Sequence, residues 1–214
     1  MNKITICSVC HIVLIIIIIL TPSLLSAQIV DFKIEGWENR INKRQPPELV
    51  LEKAGFKAGM TIGEIGAGTG RMTLWIADKI GPEGIIYAND IDVQGLKHLR
   101  DRAMEAGFKN IRTIVGSVTE PKFPDGIMDM VFMINVFHHL DDPVTLLKNT
   151  KSALKPGGFP AIVDCDPAKV EWGKSHGCTG KEEMREKLKL AGYELIKISD
   201  VLKEDGIYIA EPVM

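Results

Sequence analysis

Three glycines at alternate positions are the first feature of this sequence that points to chemistry. They stand in the segment Glu64-Ile65-Gly66-Ala67-Gly68-Thr69-Gly70, between an apolar run and a helical pattern. A backbone without side chains lets a ligand approach closely, and the following helix start offers free N–H groups and a positive dipole end. The dinucleotide pattern G-x-G-x-x-G is not met, because Arg71 occupies its closing position. We predict a ligand-binding loop that includes Ala67, with Glu64 suited to an ammonium group, rather than only a tight turn.

An acidic residue follows the next strand-like run. Asp90 lies roughly 20 residues after the glycine loop, where a carboxylate can accept hydrogen bonds from ribose hydroxyls. The alternative is that Asp90 only caps the following helix, but Asp92 stands directly before that helix and is the better cap. We therefore predict Asp90 as a ribose ligand. Ile91, between the two acids, is predicted to pack on an adenine face.

Two further strand-like runs end in polar residues. The first ends at Ser117 and Val118, where the serine either reaches an adenine edge or belongs to a plain turn. The second ends in the dense cluster Asn135-Val136-Phe137-His138-His139-Leu140-Asp141-Asp142. Histidine can accept a proton near neutral pH, so His138 and His139 are candidate bases for a substrate nucleophile.

The structural alternative for the two histidines is that they start a helix and pack, and the sequence slightly favours it. Asn135 is expected to contact the ligand or to order the loop. Asp142 stands before Pro143, which predicts a helix cap.

Alternating strands and helices must position these residues. Strands are predicted over residues 60–65, 84–90, 111–115, 128–134, 159–163, 193–198 and 207–210, and helices over 48–54, 71–80, 93–106, 143–154 and 181–190. This alternation is typical of a doubly wound, mostly parallel α/β sheet. The last two strands lie too close in sequence for a helical crossover and are predicted to form an antiparallel terminal hairpin. Ligands of such sheets bind beyond the carboxyl ends of the strands, where all the residues above lie.

Four motifs in this order resemble those of class I S-adenosylmethionine-dependent methyltransferases. They are the glycine loop, the second-strand motif Tyr87-Ala88-Asn89-Asp90-Ile91-Asp92, the fourth-strand segment Asn135-Val136-Phe137-His138-His139-Leu140 and the turn Leu154-Lys155-Pro156-Gly157-Gly158. The resemblance runs from about Pro46 to the C-terminus. It is strongest to the small enzymes of the methyltransferase type 11 group, which includes quinone-ring methylases. It implies a seven-stranded Rossmann-like sheet with an antiparallel last strand.

The resemblance also implies site roles. Gly66, Gly68 and Gly70 would wrap the methionine part of S-adenosyl-L-methionine, Glu64 would face its amino group and Asp90 would hold the ribose. Ser117 stands where many members carry an acidic residue towards the adenine amine. The implied activity is methyl transfer to a small-molecule, quinone or lipid-like acceptor. The alternatives are a non-catalytic adenosylmethionine-binding protein and, less favoured, a nicotinamide-dependent oxidoreductase.

The composition limits the partners. With 214 residues, 26 Lys plus Arg and 28 Asp plus Glu, the chain has the length of a single domain and lacks the basic excess of a nucleic-acid binder. No metal site is expected, since the metal-capable side chains from Asp164 to Cys178 match no standard zinc spacing. Cys165 and Cys178 could form one bridge, but two unrelated thiols are favoured. Trp172 could stack on a planar substrate.

The N-terminus has a basic start, a short apolar centre and a small-residue exit. This layout predicts a signal peptide over residues 1–27 and an exported protein, with an uncleaved membrane anchor as the alternative. Residues 28–45 are then a cap segment and residues 46–214 the methyltransferase domain. Three basic residues of the cap are expected to be solvated, namely Arg40, Lys43 and Arg44.

Overall fold

The computed structural model describes residue 32, residues 34–173 and residues 176–213. The predicted export or anchor segment, residues 1–27, lies outside this part of the chain. None of the helices in this part combines the length and the apolar character that crossing a bilayer requires.

Six α-helices and seven β-strands make up the described chain. The helices are α1 Gly36–Arg44, α2 Pro47–Ala54, α3 Arg71–Ile80, α4 Val93–Glu105, α5 Pro143–Asn149 and α6 Lys181–Leu190. The strands are β1 Thr61–Ile65, β2 Ile85–Asp90, β3 Ile111–Val115, β4 Met128–Ile134, β5 Leu154–Cys165, β6 Tyr193–Ser199 and β7 Asp205–Pro212. Helices separate the first five strands as predicted, except that residues 116–127 join β3 to β4 without a helix.

All seven strands form one sheet in the order β3-β2-β1-β4-β5-β7-β6. The pairs among β1 to β5 are parallel, whereas β7 runs antiparallel to both β5 and β6. The predicted doubly wound sheet with an antiparallel hairpin is confirmed. The antiparallel β7 distinguishes this sheet from the all-parallel order 3-2-1-4-5-6 of dinucleotide-binding folds.

The sheet is covered on both faces, and β4 shows why its sequence is continuously apolar. Met130, Phe132 and Ile134 belong to one buried cluster, which also contains residues of α2 and α3. Val131 and Met133 belong to another, which contains residues of α5 and α6. Successive side chains of a strand point to opposite faces of the sheet. Because both faces are buried at β4, its side chains on both faces must be apolar.

The helix predicted over residues 143–154 is wrong at its end. Helix α5 ends at Asn149, a 3-10 turn spans Lys151–Ala153, and β5 begins at Leu154. The Thr150 hydroxyl donates to the Leu147 carbonyl at 2.7 Å, and Leu154 already pairs with Met128 of β4. The strand is therefore longer than the predicted 159–163, and Asp164 and Cys165 lie inside it rather than after it.

Candidate functional site

The glycine loop joins β1 to α3, and its three glycines serve different purposes. All three have positive φ, at 74° for Gly66, 54° for Gly68 and 93° for Gly70. A Cβ at Gly66 would collide with the Val136 side chain, and one at Gly70 with Leu99. At Gly68 no described atom lies within 4 Å of that position. Two glycines thus allow close packing, and Gly68 leaves open space beside the backbone.

Asp90 lies against this loop, as the sequence anticipates. Its Oδ2 accepts a hydrogen bond from the Gly68 backbone N–H at 2.7 Å, and its Oδ1 accepts one from Asp92 N at 2.8 Å. Asp92 caps α4 by accepting from Gln94 N at 2.9 Å, which confirms its predicted role. The Asp90 carboxylate therefore sits at the carboxyl end of β2, directly beside the open position of the loop.

Glu64 is buried at the end of β1, with 1% of its surface exposed. The Thr73 hydroxyl donates to its Oε2 at 2.6 Å. Burial raises the pKa of this carboxyl to about 7, against the smaller lowering effects of Thr73 and the Arg71 charge. A cationic ligand group nearby would favour the ionised form, so the carboxyl fits the ammonium role predicted for it.

Apolar and polar residues flank the loop at the same sheet edge. Ile91 is 61% exposed and Val118 is 46% exposed, although both are aliphatic. Such side chains at the ends of β2 and β3 suit the flat apolar face of a nucleobase. Ser117 lies in a tight turn, where its N–H donates to the Glu120 carbonyl at 2.9 Å and its Oγ accepts from Glu120 N at 3.3 Å.

Asn135 orders the loop after β4, one of its two predicted roles. Its φ of 56° is unusual for a residue other than glycine. Its side-chain amide pairs reciprocally with Gln45, at 2.7 and 2.9 Å. Gln45 also donates to Asp205 at 2.9 Å and accepts from Arg71 at 3.0 Å. This buried polar network joins the end of α1 to the site, and the sequence contained no spacing signal for it.

Arg44 departs from the expectation that the basic residues of the cap are solvated. Arg40 and Lys43 are exposed, but Arg44 is only partly so, and its guanidinium lies 3.5 Å from Glu204 and 3.7 Å from the buried Asp205. A buried carboxylate needs an opposite charge. This requirement, which is visible only in the fold, explains the position of Arg44.

His138 and His139 lie on a 3-10 turn, Phe137–His139, directly beyond β4. The buried Asp164 of β5 accepts from His138 N at 2.8 Å, and its Oδ1 lies 2.5 Å from His138 Nδ1. His139 is exposed, and its ring centroid lies 3.9 Å from that of His138. His176 approaches both rings, at 5.6 and 6.1 Å between centroids. The sequence anticipated the first two histidines at this edge but not their grouping with His176.

A disulfide holds the segment that carries His176. Cys165 at the end of β5 is bonded to Cys178, so the favoured interpretation of two unrelated thiols is wrong. The two cysteines are 13 positions apart, and their Cα atoms lie 5.2 Å from each other. No framework of several bridges exists to signal the pair in the sequence, and only the return of the chain to the end of β5 brings the two thiols together.

Comparison with known proteins identifies the family. Residues 62–158 match the family model described as "Methyltransferase domain". The structure superimposes on a SAM-dependent methyltransferase from Aquifex aeolicus with a TM-score of 0.73 and 26% identity, covering 85% of this chain and 100% of that one. Residues 62–158 therefore form a methyltransferase domain, and the fold is that of class I S-adenosylmethionine-dependent methyltransferases. The cofactor of this family, S-adenosylmethionine, fits the open glycine position, the adjacent carboxylate and the two exposed aliphatic side chains described above.

Two further proteins are similar to this chain. A demethylmenaquinone methyltransferase from Listeria welshimeri is 31% identical over 106 residues, which are 50% of this chain and 45% of the relative. The match thus spans about half the length of the curated relative. The [4+2]-cyclase SpnF has the same fold, with a TM-score of 0.69 at 17% identity, over 80% of this chain and 82% of that one.

Proposed function

We propose that this protein transfers the methyl group of S-adenosylmethionine to a small quinone or lipid-like acceptor. The contact between Asp90 and Gly68 carries the proposal, because it places a carboxylate beside the one open position of the glycine loop. The name of the Listeria relative supports a quinone as acceptor. The cofactor supplies an electrophilic methyl group on a sulfonium, so the protein's main task is positioning.

We propose the following roles for the residues of the cofactor site. Asp90 exchanges its hydrogen bond from Gly68 for the ribose hydroxyls, and Glu64 holds the amino group once it is ionised. Ile91 and Val118 cover the two faces of the adenine. Ser117 donates or accepts at the adenine edge. The cofactor is also contacted by the backbone of four further residues, Gly66, Ala67, Gly70 and Asn135.

The acceptor is proposed to lie over the histidine cluster beyond β4 and β5. Trp172 is exposed there, and its ring lies 5.4 Å from that of His176, so a planar ring could stack beside it. The segment between β5 and α6 is short and held by the disulfide, which leaves room for a small acceptor and not for a separate substrate domain. His138 and His139 remain the proposed residues that face the reacting nucleophile.

Methyl transfer tests this proposal directly. The full chain would be incubated with S-adenosylmethionine labelled on its methyl group and a reduced demethylated naphthoquinone carrying a short isoprenoid tail. The expected result is label in the extracted quinone with the product one methylene heavier. Asp90→Asn should abolish most transfer at limiting cofactor, whereas Asp92→Asn, which changes the neighbouring acid, should keep most of it.

A different outcome would favour the second hypothesis, a binding protein without turnover. SpnF has this fold and is named a [4+2]-cyclase, so the fold is not restricted to methyltransferases. Tight cofactor binding together with no label in quinones, phenols or extracted lipids would contradict the proposed methyl transfer and support that hypothesis.

A further inference from the structure

Three of the five histidines in the sequence meet at the carboxyl edge of the sheet. One ring nitrogen from each of His138, His139 and His176 lies within 4.8 Å of the others. His138 and His139 are adjacent in sequence, but His176 comes from the segment after β5. Such convergence is not needed for packing, because His139 and His176 are both exposed.

We propose that His138, His139 and His176 bind a first-row divalent metal ion, with zinc as the best match, through their ring nitrogens. Imidazole suits zinc, copper, iron and nickel, and three protein ligands with an open fourth position are typical of zinc sites that bind a further group. With Zn–N distances near 2.0–2.1 Å, tetrahedral ligand nitrogens lie roughly 3.4 Å apart. Rotation of the two exposed side chains would close the remaining gap.

Asp164 supplies the outer support that such a site requires. A metal-bound histidine usually gives its second ring N–H to a carboxylate, which fixes the ring and its tautomer. Asp164, fully buried, lies 2.5 Å from Nδ1 of His138 and also accepts its backbone N–H. With Nδ1 engaged, Nε2 of His138 is the nitrogen left to coordinate a metal.

The disulfide holds the third ligand, His176, near the other two histidines. His176 stands two positions before Cys178, which is bonded to Cys165, the residue after Asp164. The same bond removes Cys165 from consideration as a ligand, although its sulfur lies within 4.8 Å of donor atoms of His138 and Asp164. The ligand set is therefore three imidazoles. The inference rests on the proposed function in one respect, because the open position would bind an oxygen of the methyl acceptor.

Zinc titration of the full chain, purified without a histidine tag and freed of metal by a chelator, tests the site. Calorimetry should show zinc binding in the micromolar range or tighter, and His139→Ala and His176→Ala should each weaken it by about tenfold or more. Both side chains are exposed, so neither variant should unfold. His98→Ala is the matched control, because His98 contacts Glu35 outside the cluster and its loss should leave zinc affinity within about twofold.

Asp164→Asn gives a second readout, with an expected loss of about 10- to 100-fold in zinc affinity. Cobalt in place of zinc should give the visible absorption of a nitrogen-ligated ion without a sulfur charge-transfer band. No zinc binding by the folded parent, or equal binding by the parent, His139→Ala and His176→Ala, would overturn the inference. The titration needs neither cofactor nor acceptor, so its result is independent of methyl transfer.

Discussion

Glu38 of α1 and Arg102 of α4 form a buried ion pair, with 2.9 Å between Glu38 Oε1 and the Arg102 guanidinium. The side chains are 1% and 8% exposed. A second bond joins Glu38 Oε2 to the guanidinium at 3.1 Å, and Arg102 also donates to the Thr69 carbonyl at 2.8 Å. Arg102 thus connects helix α1 of the cap segment to the glycine loop.

Breaking this pair should destabilise the protein strongly. Arg102→Met leaves the Glu38 carboxylate buried without its partner, and such losses typically cost about 3–5 kcal/mol. The free energy of unfolding, measured by urea denaturation, should fall by that amount. Lys97→Ala breaks the exposed pair of Lys97 with Asp101 on the same helix and should change it by less than about 0.5 kcal/mol. If both substitutions changed the free energy of unfolding by the same small amount, the buried pair would not be needed for stability.

The Cys165–Cys178 bond should contribute measurably to stability. Closing a loop of this size removes conformational freedom from the unfolded chain, worth about 3 kcal/mol in the chain-entropy account. Reduction should therefore lower Tm by about 6–12 °C. The double variant Cys165→Ala/Cys178→Ala should melt near the reduced parent and be insensitive to reductant. If peptide mapping of the oxidised protein found the two cysteines unlinked, the bond would be excluded.

Stability and cofactor binding should both depend on pH through Glu64. Its pKa is raised in the folded state from the ordinary 4.5 to about 7, so between these values the folded state binds more protons than the unfolded state. The free energy of unfolding should therefore fall as pH rises from about 4.5 to 7, by up to about 3 kcal/mol in total. Glu64→Gln should remove this slope, because glutamine does not titrate and can still accept from Thr73.

Cofactor affinity should follow the opposite trend with pH. If ionised Glu64 holds the ammonium group, affinity should rise as pH increases through 7, and Glu64→Gln should flatten that rise. Calorimetric titrations at pH 6, 7 and 8 would measure it, with Asp92→Asn as a control that keeps the slope. A parent and a Glu64→Gln variant with the same pH profile would contradict the role of Glu64.

The sequence predicts most of the sheet because its strands are bounded by glycines and its helices by caps. The bounds of α3 and α6 agree with prediction to the residue. The end of α5 does not, because Thr150 and the pairing of Leu154 with Met128 are tertiary effects. The predicted helix over residues 143–154 is therefore a shorter helix, a 3-10 turn and the first residue of β5.

The residues of the candidate site also fall into those that the sequence predicts and those that it does not. Asp90 and Gly68 are predictable, since Asp90 ends β2, Gly68 lies in the loop after β1, and the fold class places both strand ends at one edge of the sheet. The contacts of Gln45 with Asn135, Arg71 and Asp205 are not, because they join segments far apart in sequence. His176 also escapes prediction, since only the disulfide and the path of the segment after β5 bring it to His138.

Binding of S-adenosylmethionine to the full chain tests the central claim most directly. Gly68→Val and Gly81→Val are a matched pair, since both glycines have positive φ and no described atom lies within 4 Å of the position that a Cβ would take, but only Gly68 faces the proposed cofactor. Calorimetry should give a parent Kd on the order of 1–10 µM, retained in Gly81→Val and weakened by about tenfold or more in Gly68→Val. No binding to the folded parent, or equal affinity in both variants, would contradict the assignment of the cofactor site.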